Sequence, residues 1–118
     1  MKAVVIEDEI LIREGLCKLL KKMFPEIEVT GTAGNGQEGL LCIERDKPDM
    51  IITDIRMPIM DGLEMITKMQ ESGLCPKIIV LTAYSEFSYA QQAVKLGVND
   101  YIIKPVVVQE FVRTIRKI

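Results

Sequence analysis

The chain has 118 residues, of which 48% are hydrophobic and 27% charged, a balance typical of one globular domain with a real core. Its 15 basic and 17 acidic residues leave a net charge of −2, which gives no sign of direct nucleic-acid binding. Histidine is absent, which excludes a Ser-His-Asp triad, a histidine-ligated metal and a histidine general base.

The three cysteines, Cys17, Cys42 and Cys75, are odd in number and have no CxxC spacing. This pattern predicts free thiols in a reducing compartment, so we expect a cytoplasmic protein. The first apolar run, residues 3–6, is too short for a secretory signal, and no run approaches the length that spans a membrane.

Short apolar runs alternate with amphipathic segments along the whole chain. The runs predict strands at residues 3–6, 28–33, 50–53, 77–82 and 100–103. Helical spacing predicts helices at residues 9–23, 36–46, 62–72 and 86–96, and a last one from about 108. The residues expected to face the sheet are Ile12, Leu16, Leu19, Leu20, Met23, Leu40, Ile43, Leu63, Ile66, Met69, Ala90, Ala93, Val94, Phe111, Val112 and Ile115.

Five strands alternating with five helices predict an α/β fold with a parallel sheet covered on both faces. The first, third and fourth strands are continuously apolar and should be central, whereas the more polar second strand should lie at an edge. Helical spacing continues to Ile118 without a capping residue. We therefore expect one domain, residues 1–118, forming the front part of a longer protein.

Polar residues follow four of the predicted strands. Glu7 and Asp8 come after the first, Asp54 after the third, Thr82 ends the fourth, and Lys104 follows the fifth. The carboxyl ends of parallel strands meet at one edge of the sheet, where open α/β sheets bind ligands. An unpaired carboxylate there would cost several kcal/mol, so Asp54 must be satisfied by another group or serve chemistry.

The chemistry of this edge favours a magnesium-dependent phosphoryl transfer. Glu7, Asp8 and Asp54 cannot all remain ionised side by side without a cation, and oxygen ligands favour Mg²⁺. Lys104 supplies a positive charge suited to a phosphoryl oxygen, and Thr82 supplies a hydroxyl donor. A carboxylate between a metal and a lysine is arranged as a nucleophile for phosphoryl transfer.

Four segments, VIEDE, TDIRMPIMDG, VLTAY and DYIIKP, occur in that order at the ends of successive strands. Together they resemble the receiver domain of bacterial two-component response regulators, and the resemblance covers the whole chain. It implies a flavodoxin-like, doubly wound (βα)₅ sandwich with strand order 2-1-3-4-5. The stretch AYSEFSYAQQAVKLGVNDYIIKPV further resembles receivers joined to AraC-type helix-turn-helix output domains.

The resemblance assigns the metal and phosphorylation sites. It implies that Asp54 accepts the phosphoryl group and helps to bind Mg²⁺, with Asp8 as a direct ligand. We expect Asp54 to be exposed at the end of its strand, because a phosphodonor must reach it. Glu7 would bind the ion largely through water, and the backbone carbonyl of Arg56 would be a further ligand. The positions of Arg56 and Tyr84 would modulate hydrolysis of the aspartyl phosphate.

The resemblance also assigns the residues that respond to phosphorylation. Lys104, joined to Pro105 by a cis peptide bond, would contact the phosphoryl group, and the small Ala83 would lie beside it and leave access to the site. Thr82 would move to meet the new phosphoryl oxygens, and Tyr101 would turn inward behind it.

The function implied is a phosphorylation-activated switch. A sensor histidine kinase would donate the phosphoryl group, and the face formed by helix 4, strand 5 and helix 5 would then change its preferred partner. That face would control a C-terminal DNA-binding output domain, with a homodimer possible on phosphorylation. The only enzymatic activity would be self-phosphorylation from a phosphodonor and autodephosphorylation, with no direct contact to membrane or nucleic acid.

Three other functions compete with this interpretation. A haloacid-dehalogenase-type phosphatase needs an acid two residues after the nucleophile, where this chain has Arg56. A flavodoxin-like cofactor module needs a phosphate-binding loop after the first strand, where Glu7, Asp8 and Glu9 would repel phosphate. A phosphorylation-independent pseudo-receiver should lack Asp54 or Lys104, and this chain has both.

One departure from related receivers lies before the last helix, where they often have an acidic residue that would cap it. This chain has Val107, which cannot act as a cap. Val107 either packs locally or adds an apolar contact to the face formed by helix 4, strand 5 and helix 5, where it would favour a dimer or output contact.

Overall fold

Strands and helices alternate five times along the chain. The computed structural model describes the backbone of residues 1–118 and every side chain except those of Tyr84 and Phe87. The strands are β1 (Lys2–Ile6), β2 (Glu28–Ala33), β3 (Met50–Asp54), β4 (Lys77–Ala83) and β5 (Asp100–Lys104). The helices are α1 (Ile10–Met23), α2 (Gly36–Asp46), α3 (Gly62–Glu71), α4 (Phe87–Lys95) and α5 (Val108–Lys117), with a short 3₁₀ turn, Tyr84–Glu86, before α4. In the part of the chain described, every helix is too short or too polar to cross a membrane.

All five strands are parallel and lie in the order β2-β1-β3-β4-β5, which confirms the predicted fold and the edge position of β2. Each residue of β3, the central strand, is buried. The register pairs Ile6 with Thr53, and Asp54 with Leu81. The carboxyl ends of β1, β3 and β4 therefore lie side by side, as the sequence predicts.

Successive strand residues point to opposite faces of the sheet, and this alternation divides the core in two. Val5 and Ile52 belong to a cluster that also contains Leu16 of α1 and Phe111 of α5. The neighbouring residues on the strands belong to a second cluster, which contains buried residues of α2, α3 and α4. The sheet is thus covered by two helices on one face and three on the other.

Most residues expected to face the sheet are buried or half-buried, but two of these predictions are wrong. Met23 is 38% exposed, because it ends α1 and the next side chain, Phe24, fills that part of the core instead. Val94 is 60% exposed, because its neighbour Ala93 faces the sheet and successive helical residues point about 100° apart.

Helix boundaries follow local capping chemistry. The Asp61 carboxylate accepts a hydrogen bond from the Glu64 N–H at 2.8 Å and so caps the N-terminus of α3. Gly97 has φ +83°, a left-handed conformation that allows the chain to leave α4. Val107 precedes α5 and provides no side-chain cap, as predicted.

Candidate functional site

The polar residues predicted to converge on one edge of the sheet do so in the structure. Glu7 follows β1, Asp54 ends β3, Thr82 lies near the end of β4, and Lys104 ends β5. Glu7 is fully buried and Asp54 is only 5% exposed. The expectation that Asp54 is exposed at its strand end is therefore wrong. Neighbouring strands and the loops that follow them shield its carboxylate from solvent.

Asp54 is satisfied by a lysine and a backbone amide. Its Oδ2 accepts a hydrogen bond from Lys104 Nζ at 2.8 Å, and its Oδ1 accepts one from the Ile55 N–H at 2.8 Å. Lys104 Nζ also lies 2.7 Å from Oε1 of Glu7. The peptide bond between Lys104 and Pro105 is cis, as the resemblance implied. One ammonium group thus bridges the two buried carboxylates.

The two partners of this bridge titrate in opposite senses. Burial raises the pKa of Glu7 to about 7, an effect that the neighbouring Asp8 and Asp54 reinforce and that Lys104 and the Glu9 N–H oppose. Burial disfavours the charged form of Lys104, but its contacts with Asp54 and Glu7 outweigh burial and raise its pKa to about 12. Lys104 therefore stays protonated, while Glu7 changes charge close to neutral pH.

The acidic side chains fit a divalent cation. Glu7, Asp8 and Asp54 each offer a carboxylate oxygen, and these atoms lie within 4.8 Å of one another. With all three ionised, Lys104 offsets only one of the charges. Among the residues whose side chains the structure describes, none donates a hydrogen bond to the Arg56 carbonyl oxygen, which the resemblance implied as a further ligand. Such an oxygen-only set suits Mg²⁺.

Two glycines hold the loop that follows Asp54, and sequence reasoning did not single them out. The Gly62 N–H donates to the Ile55 carbonyl at 2.7 Å, and the Gly36 N–H donates to the Met60 carbonyl at 2.8 Å. A Cβ at Gly62 would collide with the Asp54 carbonyl oxygen, and one at Gly36 would collide with that of Met60. Helices α2 and α3 can approach the site only because neither residue has a side chain.

Arg13 of α1 is a second feature that the sequence did not reveal. Its Nη1 donates to the Glu7 carbonyl at 3.0 Å, while the Glu7 N–H donates to the Ala33 carbonyl at 2.9 Å. The backbone of Glu7 is thus fixed on both sides. A Cβ at Gly34 would come 3.0 Å from the same Arg13 nitrogen, so the small residue leaves room for the guanidinium. No spacing rule connects residues 7, 13 and 34.

The residues assigned to the response lie on β4 and β5. Thr82 is buried and its hydroxyl donates to the Ala83 carbonyl at 3.3 Å, while Ala83 itself is half-buried. Ala83 pairs with Lys104 across the two strands. Tyr101 is 49% exposed on β5. The predicted role of the Tyr84 side chain concerns a group outside the part of the chain that the structure describes.

Residues 3–116 match the family model described as the response regulator receiver domain. An uncharacterized response regulatory protein of Vibrio cholerae is 41% identical over 103 residues, which cover 87% of this chain and 39% of that protein. The uncharacterized transcriptional regulatory protein YesN of Bacillus subtilis is 34% identical over 99% of this chain and 32% of its own length. The chain thus spans well under half of either relative.

Solved structures show the same architecture. The REC domain of AraT, a response regulator from Geobacillus stearothermophilus, has a TM-score of 0.89 and 36% identity, covering 98% of this chain and 90% of that one. A LuxR-family DNA-binding response regulator from Staphylococcus aureus has a TM-score of 0.90 and 30% identity, covering 98% and 96%. The similarity therefore extends over the whole fold and includes every strand that contributes to the acidic edge.

Proposed function

This chain belongs to the response regulator receiver domain family, and on that basis we propose that it is a signalling switch activated by phosphorylation of Asp54. One observation carries the proposal. A buried aspartate at the end of the central strand contacts a protonated lysine at 2.8 Å, and two more carboxylates lie within 4.8 Å. This is the charge arrangement that a metal-assisted acceptor of a phosphoryl group requires.

Asp54 would act as the nucleophile. A carboxylate oxygen of Asp54 forms a bond to phosphorus as the bond between phosphorus and the donor breaks, and the donor keeps that electron pair. Mg²⁺ held by Asp8, Asp54, the Arg56 carbonyl and, through water, Glu7 would supply charge neutralisation for the phosphoryl oxygens. Lys104 moves its hydrogen bond from the Asp54 carboxylate to a phosphoryl oxygen, and the small Ala83 leaves room beside it.

The response would spread through β4 and β5. A phosphoryl group adds about −1.5 to −2 charges beside Lys104. The Thr82 hydroxyl would turn from the Ala83 carbonyl to the new oxygens, and Tyr101 would turn inward from its half-exposed position. Changing a mostly inactive population into a mostly active one needs about 5 kcal/mol of differential stabilisation. The face formed by α4, β5 and α5 would then change partner.

The proposal extends to partners beyond this chain. A sensor histidine kinase would be the donor, because the chain has no histidine of its own to carry a phosphoryl group. A C-terminal DNA-binding output domain, of AraC type, and a homodimer formed on phosphorylation complete the proposal. YesN is named as a transcriptional regulatory protein and the S. aureus neighbour as DNA-binding, which supports that output. Three free cysteines favour a cytoplasmic location.

Intact-mass measurement after incubation with acetyl phosphate, with and without Mg²⁺, tests the proposal. We expect one Mg²⁺-dependent phosphoryl adduct on the unaltered chain and none on Asp54→Asn. Asp100→Asn is the matched control, since Asp100 begins β5 at the far end of the sheet and should leave the adduct intact. If Mg²⁺ binds but no adduct forms, the chain is a phosphorylation-independent binding module and the proposal is wrong.

A further inference from the structure

The loop between β3 and α3 is anchored at its two ends and free in its middle. Ile55 is buried and its carbonyl accepts the Gly62 N–H, while the Met60 carbonyl accepts the Gly36 N–H. Between them, the backbone groups of Arg56 and Met57 form no hydrogen bond to the residues that the structure describes. The carbonyl proposed as a metal ligand therefore lies in the part of the loop that the backbone holds least.

A side-chain contact reaches that free segment from α4. The Arg56 guanidinium carbon lies 4.9 Å from the centroid of the Tyr89 ring, within the range of a cation–π contact. The Tyr89 ring is half-buried and packs against the core cluster that contains Ile66 and Ala93. One side of the ring thus packs against the core, whereas Arg56 itself is exposed.

We propose that Tyr89 is a positioning residue for the metal site, because stacking of the Arg56 side chain on its ring fixes the direction of the Arg56 carbonyl. The side chain and the carbonyl belong to one residue, so a guanidinium held against the ring restrains the position of the Arg56 Cα, and with it the conformations that this part of the loop can adopt. Holding the guanidinium restricts the carbonyl to fewer directions before the ion arrives, which favours binding. The inference rests on the proposed function, which supplies the metal.

The same contact must act in both directions. If α4 helps to place a metal ligand, then metal binding must stabilise α4 by an equal free energy. This helix has no side-chain N-cap, so small changes in its contacts should be measurable. The Arg56–Tyr89 stack would thereby connect metal binding at the carboxyl edge to the first element of the α4–β5–α5 face.

A Mg²⁺ titration followed by amide NMR shifts tests the inference on the intact chain. We expect Tyr89→Leu to weaken Mg²⁺ binding about two- to fivefold, the loss of one exposed cation–π contact, and Tyr89→Phe to bind almost normally because the ring remains. Val94→Ala, also on α4 but at an exposed position, is the matched control and should not change the Mg²⁺ affinity.

A double-mutant cycle separates positioning from a general loosening of α4. Arg56→Gln should weaken Mg²⁺ binding to the same extent as Tyr89→Leu. The double variant should bind Mg²⁺ no more weakly than either single variant. Mg²⁺ should also slow amide exchange in α4 of the unaltered chain but not of Arg56→Gln. Because Arg56 is exposed, this variant should fold even if Tyr89→Leu does not.

Additive effects in the cycle, or an unchanged Mg²⁺ affinity in Arg56→Gln, would overturn the inference. If Tyr89→Leu is phosphorylated normally and binds Mg²⁺ with unchanged affinity, Tyr89 has no role at the metal site, but the proposed function stands. If the two variants show coupled effects on Mg²⁺ binding but the unaltered chain forms no phosphoryl adduct, the role of Tyr89 stands and the proposed function is wrong. The two proposals can therefore fail separately.

Discussion

The carboxyl edge of the sheet has two unlike halves. The half built from β1 and β3 is buried: every residue of β3 is buried, and Glu7 is held through its N–H, its carbonyl and its side chain. The half built from α4 and β5 is looser, since only Ile102 of the five residues of β5 is buried, although β4, which lies between β3 and β5, buries five of its seven residues. The proposed acceptor, Asp54, thus lies on the rigid half, whereas Tyr101, which is expected to respond, lies on the other.

The helices that flank the two halves differ in the same way. Helix α3 begins at a side-chain cap and buries half of its ten residues, Gly62, Leu63, Met65, Ile66 and Met69. Helix α4 has no side-chain cap, and Ala93 is the only one of its described side chains that is fully buried. Elements with few buried apolar contacts open at low free-energy cost. A phosphorylation switch of the kind proposed needs a rigid phosphorylation site and an element that can move in response. The difference between α3 and α4 is consistent with both requirements.

The largest test of this contrast compares one apolar residue on each helix, Ile66, which is buried, and Val94, which is exposed. Ile66→Ala on α3 should lower the free energy of unfolding by about 3.5 kcal/mol, because it leaves a cavity in a fully packed core. Val94→Ala on α4 should change it by less than about 0.5 kcal/mol, because Val94 is already exposed. Urea unfolding measures both. Similar losses for the two variants would mean that α4 is packed as firmly as α3.

Gly62, which allows α3 to begin beside the proposed phosphorylation site, provides the next test. Gly62→Ala should cost about 3 kcal/mol, because its Cβ has no space beside the Asp54 carbonyl and the helix must shift. Gly15→Ala on α1 is the matched control. A Cβ there meets nothing within 4 Å, so alanine should stabilise the chain by about 0.5 to 1 kcal/mol. Thermal unfolding measures the stability of both variants. An unchanged stability of Gly62→Ala would show that α3 can shift to make room for the new Cβ.

The buried charge of Glu7 should make the metal-free protein less stable as pH rises. The folded-state pKa of about 7 exceeds the ordinary value of 4.5, so the folded chain binds the proton more tightly than the unfolded chain. The stabilisation is complete below about pH 4.5 and is lost as pH rises through about 7. Between about pH 5.5 and about pH 8 the expected loss is about 2 kcal/mol.

Urea unfolding of the unaltered chain and of Glu7→Gln across this range measures the loss. Glutamine cannot ionise, so the variant should lack this part of the pH dependence, although both chains share the titration of all other groups. Mg²⁺ should also reduce the loss in the unaltered chain, because the ion stabilises the ionised carboxylate. Equal slopes for the two chains without Mg²⁺ would show that Lys104 already compensates for the buried charge.

The rigid half of the edge is also the half that the sequence predicted best. The central position of β3 and the meeting of Glu7 and Asp54 follow from apolar runs that end in polar residues, whereas the observed strand order is the one that the resemblance implied. Periodicity needs only residue type and spacing, and both are strong where strands are continuously buried. The burial of Asp54 was missed because shielding depends on loops that periodicity does not place.

The loose half shows why the burial of individual side chains and the contacts between elements could not be predicted from the sequence. Val94 was assigned to the core together with Ala93, because α4 has few large apolar residues, but adjacent helical residues point about 100° apart and only Ala93 is buried. The Arg56–Tyr89 contact joins residues that are far apart in sequence, and no sequence pattern in either segment predicts it. Short-range rules specify elements, whereas contacts between elements depend on packing that only the folded chain defines.

The smallest predicted effect concerns Val107, at the edge of the loose half. Val107 has φ −96° and ψ 126°, the extended conformation of a helix N-cap, yet its side chain accepts nothing. Val107→Asp would place a carboxylate within reach of the Glu110 N–H and should stabilise the chain by about 1 kcal/mol. Thermal unfolding measures this gain, and Val107→Ala, which can neither cap nor provide as much apolar surface, is the control.

Self-association distinguishes the two roles that the sequence left open for Val107. Its side chain is 48% exposed and lines a groove with Tyr101, Ile103 and Arg113 on the face formed by β5 and α5. If this apolar surface supports a dimer, both Val107→Asp and Val107→Ala should weaken association of the phosphorylated chain in sedimentation velocity. If Val107 only packs locally, both variants should associate normally and the aspartate should change stability alone. If Val107→Asp is more stable but associates more weakly, this chain keeps α5 uncapped because the apolar side chain of Val107 contributes to the contact that forms on phosphorylation.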